Sequence, residues 1–150
     1  MTSPQKGTYP PPAAMVLGAA GLIPFLWGVV ALQTGMFSTA GLPVRLAVEG
    51  YGLMIFSYMA GCFWPFAARM GGAGGYVLAV APVLVLIALV VPGLLSMTQA
   101  LILGFAGLLP IDWYFARAGA APTWWMRLRL PLSAVVVASL IAIELTARAA

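Results

Sequence analysis

The sequence predicts an all-α integral membrane protein in which five transmembrane helices form a compact bundle. Hydrophobic residues make up 63% of the chain and charged residues only 7%, whereas a soluble domain carries about 25% charged residues. The apolar residues also fall into five runs of the length that a helix needs to cross a bilayer, about 20 residues. Together these observations exclude a water-soluble globular protein.

The apolar runs divide the chain into a short tail and one domain. Residues 1–12 are polar and proline-rich, and we predict an extended tail there. Residues 13–150 form the single membrane domain. The first run is longer than the apolar part of a signal peptide, about 7–15 residues, so we predict an uncleaved first helix. The predicted spans are residues 13–32, 46–68, 76–92, 97–116 and 130–147.

The basic residues orient this predicted bundle. With five spans, the tail and the loops after the second and fourth spans share one side, and their basic residues are Lys6, Arg69, Arg117, Arg127 and Arg129. The other side carries only Arg45 and Arg148. The excess of positive charge predicts a cytoplasmic N-terminus and a periplasmic C-terminus. Because the chain lacks an Arg- and Ser-rich transit segment, we expect a bacterial cytoplasmic (inner) membrane.

The densest group of charged and interfacial side chains lies between the fourth and fifth spans. This candidate polar cluster consists of Asp112, Arg117, Trp124, Arg127 and Arg129. Arg127 or Arg129 is expected to reach back to Asp112, because a charge-assisted hydrogen bond is strong where water is scarce. We interpret the cluster as a clasp between two helices. The alternative is a binding site for a lipid headgroup, a quinone or a partner subunit.

Two pairs of charged residues near the predicted outer face are spaced i, i+4. Arg45 precedes Glu49 at the start of the second span, and Glu144 precedes Arg148 at the end of the fifth. This spacing places both members of a pair on one helix face, which predicts ion pairs. The alternative is functional, because a carboxylate within a membrane span is costly and often serves to carry a proton or a cation.

Small residues within the spans are expected to serve helix packing, because they let backbones approach closely in lipid. These candidate packing residues are Gly18, Gly21, Ser57, Gly61, Gly104 and Gly107. Pro24 follows the first two and is expected to interrupt the hydrogen-bond ladder of the first helix.

The composition argues against cofactors, metals and catalysis. Histidine is absent, and the only acidic residues are Glu49, Asp112 and Glu144, so we expect no metal site and no cofactor. The single Cys62 lies in an apolar run, and no nucleophile has a neighbouring general base, so we expect a protein that is not an enzyme. The basic residues are scattered, which argues against nucleic-acid binding.

Three stretches resemble a small family of bacterial and mitochondrial inner-membrane proteins that includes transmembrane protein 69. They are LGAAGLIPF at 17–25, YGLMIFSYMAGCFW at 51–64 and DWYFARAGAAPTWWMRLRLPLS at 112–133. In the third stretch the family's aspartate, proline-x-tryptophan and leucine-arginine pair correspond to Asp112, Pro122, Trp124, Leu128 and Arg129. The resemblance implies a five-helix membrane protein and implies no reaction.

Two functions fit these observations. The first is an accessory, assembly or structural subunit that associates with a larger respiratory or photosynthetic membrane complex. Its partners would be the lipid bilayer and membrane-protein subunits, and small size with several small-residue grooves favours it. The alternative is a small transporter or channel that uses the intramembrane carboxylates.

Overall fold

The computed structural model describes residues 8–36 and 43–149, and within these residues the chain forms seven α-helices. Residues 1–7 of the predicted tail, with Lys6, lie outside the described residues. The helices are α1 (Pro12–Ala20), α2 (Ile23–Thr34), α3 (Val44–Gly61), α4 (Phe63–Met70), α5 (Ala73–Val90), α6 (Met97–Arg117) and α7 (Trp125–Ala149).

The seven helices make five segments within the described residues that are long and apolar enough to cross a membrane. Two of the segments join consecutive helices: α1 with α2, and α3 with α4. The prediction of an all-helical chain with five such helices is therefore confirmed. The segments are Pro12–Thr34, Val44–Met70, Ala73–Val90, Met97–Arg117 and Trp125–Arg148.

The break between α1 and α2 follows from Pro24, which lies in the first turn of α2 and has no backbone N–H to donate. In an unbroken helix the Gly21 carbonyl would accept from the amide of Phe25. That amide bonds to the Leu22 carbonyl instead, at 3.1 Å. The Gly21 carbonyl oxygen accepts from the Tyr51 hydroxyl at 3.0 Å. A side chain of α3 thus satisfies the backbone group that the break releases.

The fifth segment begins at Trp125, earlier than the predicted start at residue 130. The prediction treated the arginines before Leu130 as part of a loop. Gly119, with a φ of 71°, ends the preceding turn in a backbone conformation that favours glycine. The chain then re-enters a helix because the Trp125 amide bonds to the Pro122 carbonyl at 3.0 Å. Arg127 and Arg129 therefore lie within α7.

The five segments form a closed ring. In chain order each segment packs against the next, and α7 returns to pack against α1 and α2. α3 also contacts α6 across the ring. The turn at residues 118–124 and the start of α1 share one end of the bundle, which we call the hairpin end. The α5–α6 turn at residues 91–96 lies at the opposite end.

Aromatic rings fill the middle of the ring of helices. Phe25 of α2 and Phe56 of α3 both meet Phe105 of α6 edge-on, with ring centroids 6.2 and 5.6 Å apart. All three side chains are buried. Edge-to-face contacts of this kind add to the stabilisation from burial. The contacts join three helices through one layer of rings.

The candidate packing residues divide into two groups. A Cβ atom at Gly18 would lie 2.8 Å from a methyl group of Leu132, and one at Gly104 would lie 2.8 Å from the Phe56 ring. These glycines therefore permit close helix contacts, and Gly21 takes part through its carbonyl.

The second group faces outward. Ser57 is exposed, and a Cβ atom at Gly61 or Gly107 would meet nothing within 4 Å. The packing role predicted for these three residues therefore stays a prediction. Periodicity gives the face of a helix but cannot tell which face a neighbouring helix covers.

Candidate functional site

A buried ion pair occupies the hairpin end. The Nε atom of Arg129 in α7 donates to Oδ2 of Asp112 in α6 at 2.8 Å. Asp112 is fully buried and Arg129 is only 5% exposed. The other carboxylate oxygen, Oδ1, accepts from the indole N–H of Trp125 at 2.6 Å. Each oxygen of the carboxylate is thus held by a donor from the start of α7.

The other two nitrogen atoms of the Arg129 guanidinium have a weak hydrogen-bond acceptor or none among the described residues. Its Nη1 atom donates to the Met59 sulfur of α3 at 2.9 Å, and a thioether is a weak acceptor. Its Nη2 atom is buried and has no partner among the described residues. One helical turn further along α7, the buried hydroxyl of Ser133 also has none. Buried polar atoms without partners are rare in folded proteins.

The remaining members of the predicted polar cluster lie apart from this pair. The Arg117 guanidinium stacks on the Trp113 ring, 4.2 Å from its centroid. Arg127 donates to the Thr8 carbonyl oxygen at 3.0 Å, at the start of the described chain. Trp124 packs beside Trp125. Of the two arginines expected to reach Asp112, only Arg129 does so, because the helical course of α7 turns Arg127 toward the surface.

A second polar cluster, the Arg45 network, lies at the opposite end. Arg45 of α3 donates from Nε to Glu49 at 2.9 Å and from Nη2 to Glu144 of α7 at 3.1 Å. Arg148 also pairs with Glu144, with 3.1 Å between Nη2 and Oε1. The structure therefore contains both i, i+4 pairs and joins them through Arg45.

Two uncharged residues of α6 complete the network and were absent from the sequence-based candidates. The buried Thr98 hydroxyl donates to Glu49 at 2.5 Å, and the Gln99 amide donates to Glu144 at 2.8 Å. Gln99 also accepts from the Ser96 amide in a capping box. This capping pattern, Ser-x-x-Gln before an apolar run, was the feature of the sequence that could have drawn attention to Gln99.

The chemistry of both clusters is that of ion pairing and hydrogen bonding. Asp112 is neutralised by Arg129, and both glutamates face arginines. Within the part of the chain that the structure describes, no three acidic or thiol side chains gather as a metal site would require. The arrangement binds helices α3, α6 and α7 together at each end.

The face of α6 that carries both clusters is polar only at its ends. Thr98, Phe105 and Asp112 follow one another at intervals of seven residues, and all three are buried. At 1.5 Å per residue, the threonine and the aspartate lie about 21 Å apart along the helix. The intervening stretch is filled by the Phe105 contacts. The two clusters are therefore separated by a packed apolar layer.

Comparison with known proteins identifies a family without a known activity. The family described as "Protein of unknown function (DUF3429)" matches residues 10–145. This match covers most of the chain, which therefore belongs to that family. No curated protein and no solved structure matches the chain.

Proposed function

We propose that this member of the DUF3429 family is an accessory or structural subunit that associates laterally with a larger membrane complex. The pairing of the acidic side chains is the observation that supports this proposal most. The three acidic side chains are all paired with arginines inside the bundle. Such pairing locks the helices together and leaves the outer surface of the bundle for contact with lipid or with other helices.

The outward face of α3 is the best candidate for that contact. Met54, Ser57 and Gly61 are exposed and follow one another at intervals of three and four residues, so they share one helix face. A Cβ atom at Gly61 would meet no atom of the described residues within 4 Å. Small residues on an exposed face allow a helix of another subunit to approach closely.

Purification from native membranes tests this proposal. The tagged protein is extracted in a mild detergent, and the proteins that remain bound through size exclusion are quantified by mass spectrometry. We expect a stoichiometric membrane-protein partner. Gly61→Leu should release that partner because the added side chain blocks close approach.

The matched control places the same bulk on another exposed face. Ala88 of α5 is exposed, so Ala88→Leu should keep the partner. Recovery of the unaltered protein as a lone monomer would contradict the proposal, as would equal retention of the partner by both variants.

The transporter alternative receives less support. A conducting path would need polar groups along the length of the bundle, whereas the apolar layer around Phe105 lies between the two clusters. The glutamates of the Arg45 network are also held by five donors from Arg45, Thr98, Gln99 and Arg148.

The proposed location is the bacterial cytoplasmic membrane, with the hairpin end on the cytoplasmic side. Arg69, Arg117 and Arg127 at this end support that orientation through the positive-inside rule. Single cysteines at Ala118 and Leu94, in a chain that carries Cys62→Ser, report it through an impermeant thiol reagent. We expect Leu94→Cys to react in spheroplasts and Ala118→Cys only after lysis; the reverse pattern would invert the orientation.

The narrower likeness to transmembrane protein 69 is also a proposal. It rests on the three stretches quoted above, and above all on Asp112 and Arg129, which pair in the structure. If the likeness extends to mechanism, the same ion pair should be essential for the stability of those proteins. A transmembrane protein 69 variant that lacks the aspartate corresponding to Asp112 and keeps its stability would contradict this proposal.

A further inference from the structure

A cleft of about 360 Å³ opens beside the buried ion pair. It lies between α1, α3 and α7 and reaches from the tryptophans of the hairpin end to the aromatic layer. Apart from a few polar side chains its walls are aliphatic and aromatic, including Leu17, Phe25, Trp125 and Val136. A concave apolar site of this size with a few polar groups is typical of a small-molecule site.

Two buried polar atoms that have no partner among the described residues belong to residues that line this cleft. They are Nη2 of Arg129 and the hydroxyl of Ser133, and the two residues are 5% and 2% exposed. The spacing of four residues places both on the same face of α7. A buried donor without an acceptor is costly, so a ligand that supplies an acceptor here gains a correspondingly large stabilisation.

The charge of the site selects the kind of acceptor. Asp112 already neutralises Arg129 at 2.8 Å, so an anionic ligand would place an uncompensated negative charge in a buried site. A neutral oxygen has no such cost. A carbonyl oxygen has two lone pairs and can accept two hydrogen bonds.

We propose that the cleft binds a lipophilic molecule through a neutral carbonyl group, with the carbonyl oxygen at Arg129 and Ser133 and the apolar body against α1 and α3. Two membrane components carry this chemistry: a quinone with an isoprenoid tail and the acyl ester of a diacyl lipid. This inference does not depend on the proposed partner subunit, since Met54, Ser57 and Gly61 of the exposed α3 face do not line the cleft.

The test uses the full chain in nanodiscs of a diether phosphatidylcholine, which has no ester carbonyl. In the first arm, decylubiquinone is titrated and the tryptophan fluorescence is measured, with decylbenzene as the ligand that lacks carbonyl groups. In the second arm, discs hold equal amounts of diacyl and diether phosphatidylcholine, and native mass spectrometry counts the lipid that stays bound.

Two variants address the polar and apolar parts of the site separately. Ser133→Ala removes the hydroxyl and should weaken binding about fivefold. Ser139→Ala is its matched control, because Ser139 is a buried serine of the same helix that does not line the cleft. Val136→Phe keeps both polar groups and fills the cleft, so it should abolish binding.

The outcomes distinguish a quinone from an acyl ester as the ligand, and they also test the proposal. Saturable quinone binding that Ser133→Ala weakens identifies a quinone site. Selective retention of the diacyl lipid, lost in Val136→Phe, identifies an acyl ester. Absence of both would overturn the proposal, as would binding that is equal in the Ser133→Ala, Ser139→Ala and Val136→Phe variants.

Discussion

Asp112 shows how one residue organises the hairpin end. The residue alone predicts that a basic partner must lie nearby, because an isolated charge in an apolar interior is prohibitively costly. It does not predict which arginine. The choice of Arg129 over Arg127 follows from the earlier start of α7, and Trp125 completes the site by donating its indole N–H. Met59 gives no signal in the sequence, because it meets Arg129 only in the folded bundle.

Breaking this pair should be strongly destabilising. Asp112→Asn leaves the Arg129 charge buried without a counter-ion, and we expect the free energy of unfolding to fall by about 3–5 kcal/mol. Replacing both partners, with Asp112→Leu and Arg129→Met, removes the buried charge and should cost less than the single change. Unfolding in mixed dodecylmaltoside and SDS micelles measures both effects.

A surface pair provides the control for that measurement. Arg148 is 64% exposed in its pair with Glu144, so Arg148→Met should change the free energy of unfolding by about 1 kcal/mol or less. If Asp112→Asn were no more destabilising than Arg148→Met, the buried pair would not be what holds α6 and α7 together.

The positions of the five membrane-spanning segments are the feature of the fold that the sequence predicts best. Hydropathy locates all five segments because each must be apolar over the thickness of a bilayer. The sequence was less informative about breaks and faces. Pro24 predicted the interruption near Gly21, but not that Tyr51 would bond to the released carbonyl. Likewise the spacing of Gly104 and Gly107 could not distinguish the glycine that meets Phe56 from the one that faces outward.

These two glycines of α6 make a matched test of helix packing. A methyl group at Gly104 would lie 2.8 Å from the Phe56 ring, so Gly104→Ala should destabilise the bundle by about 1–3 kcal/mol. Gly107 has open space around its Cβ position. Gly107→Ala should therefore be neutral or stabilising by up to about 1 kcal/mol, because alanine favours the helix.

Thermal unfolding in one detergent compares the two variants. Equal effects would contradict the close contact between α3 and α6.

The whole molecule is layered along the axis of the bundle. Charged groups lie at both ends, and the rings of Phe25, Phe56 and Phe105 fill the middle. The sequence predicts polar ends because the carboxylates lie near the ends of their spans. It cannot predict that Arg45 joins Glu49 to Glu144, since that contact depends on where α3 and α7 lie within the ring.

An ion-flux measurement tests directly whether the bundle is closed to ions. The purified chain is reconstituted into liposomes that contain a pH-sensitive dye, and proton and sodium flux is measured under an imposed gradient. We expect the same flux as in protein-free liposomes, because the aromatic layer separates the two polar clusters. Flux above that level that is lost in Glu49→Gln or Asp112→Asn would contradict it and establish a conducting path.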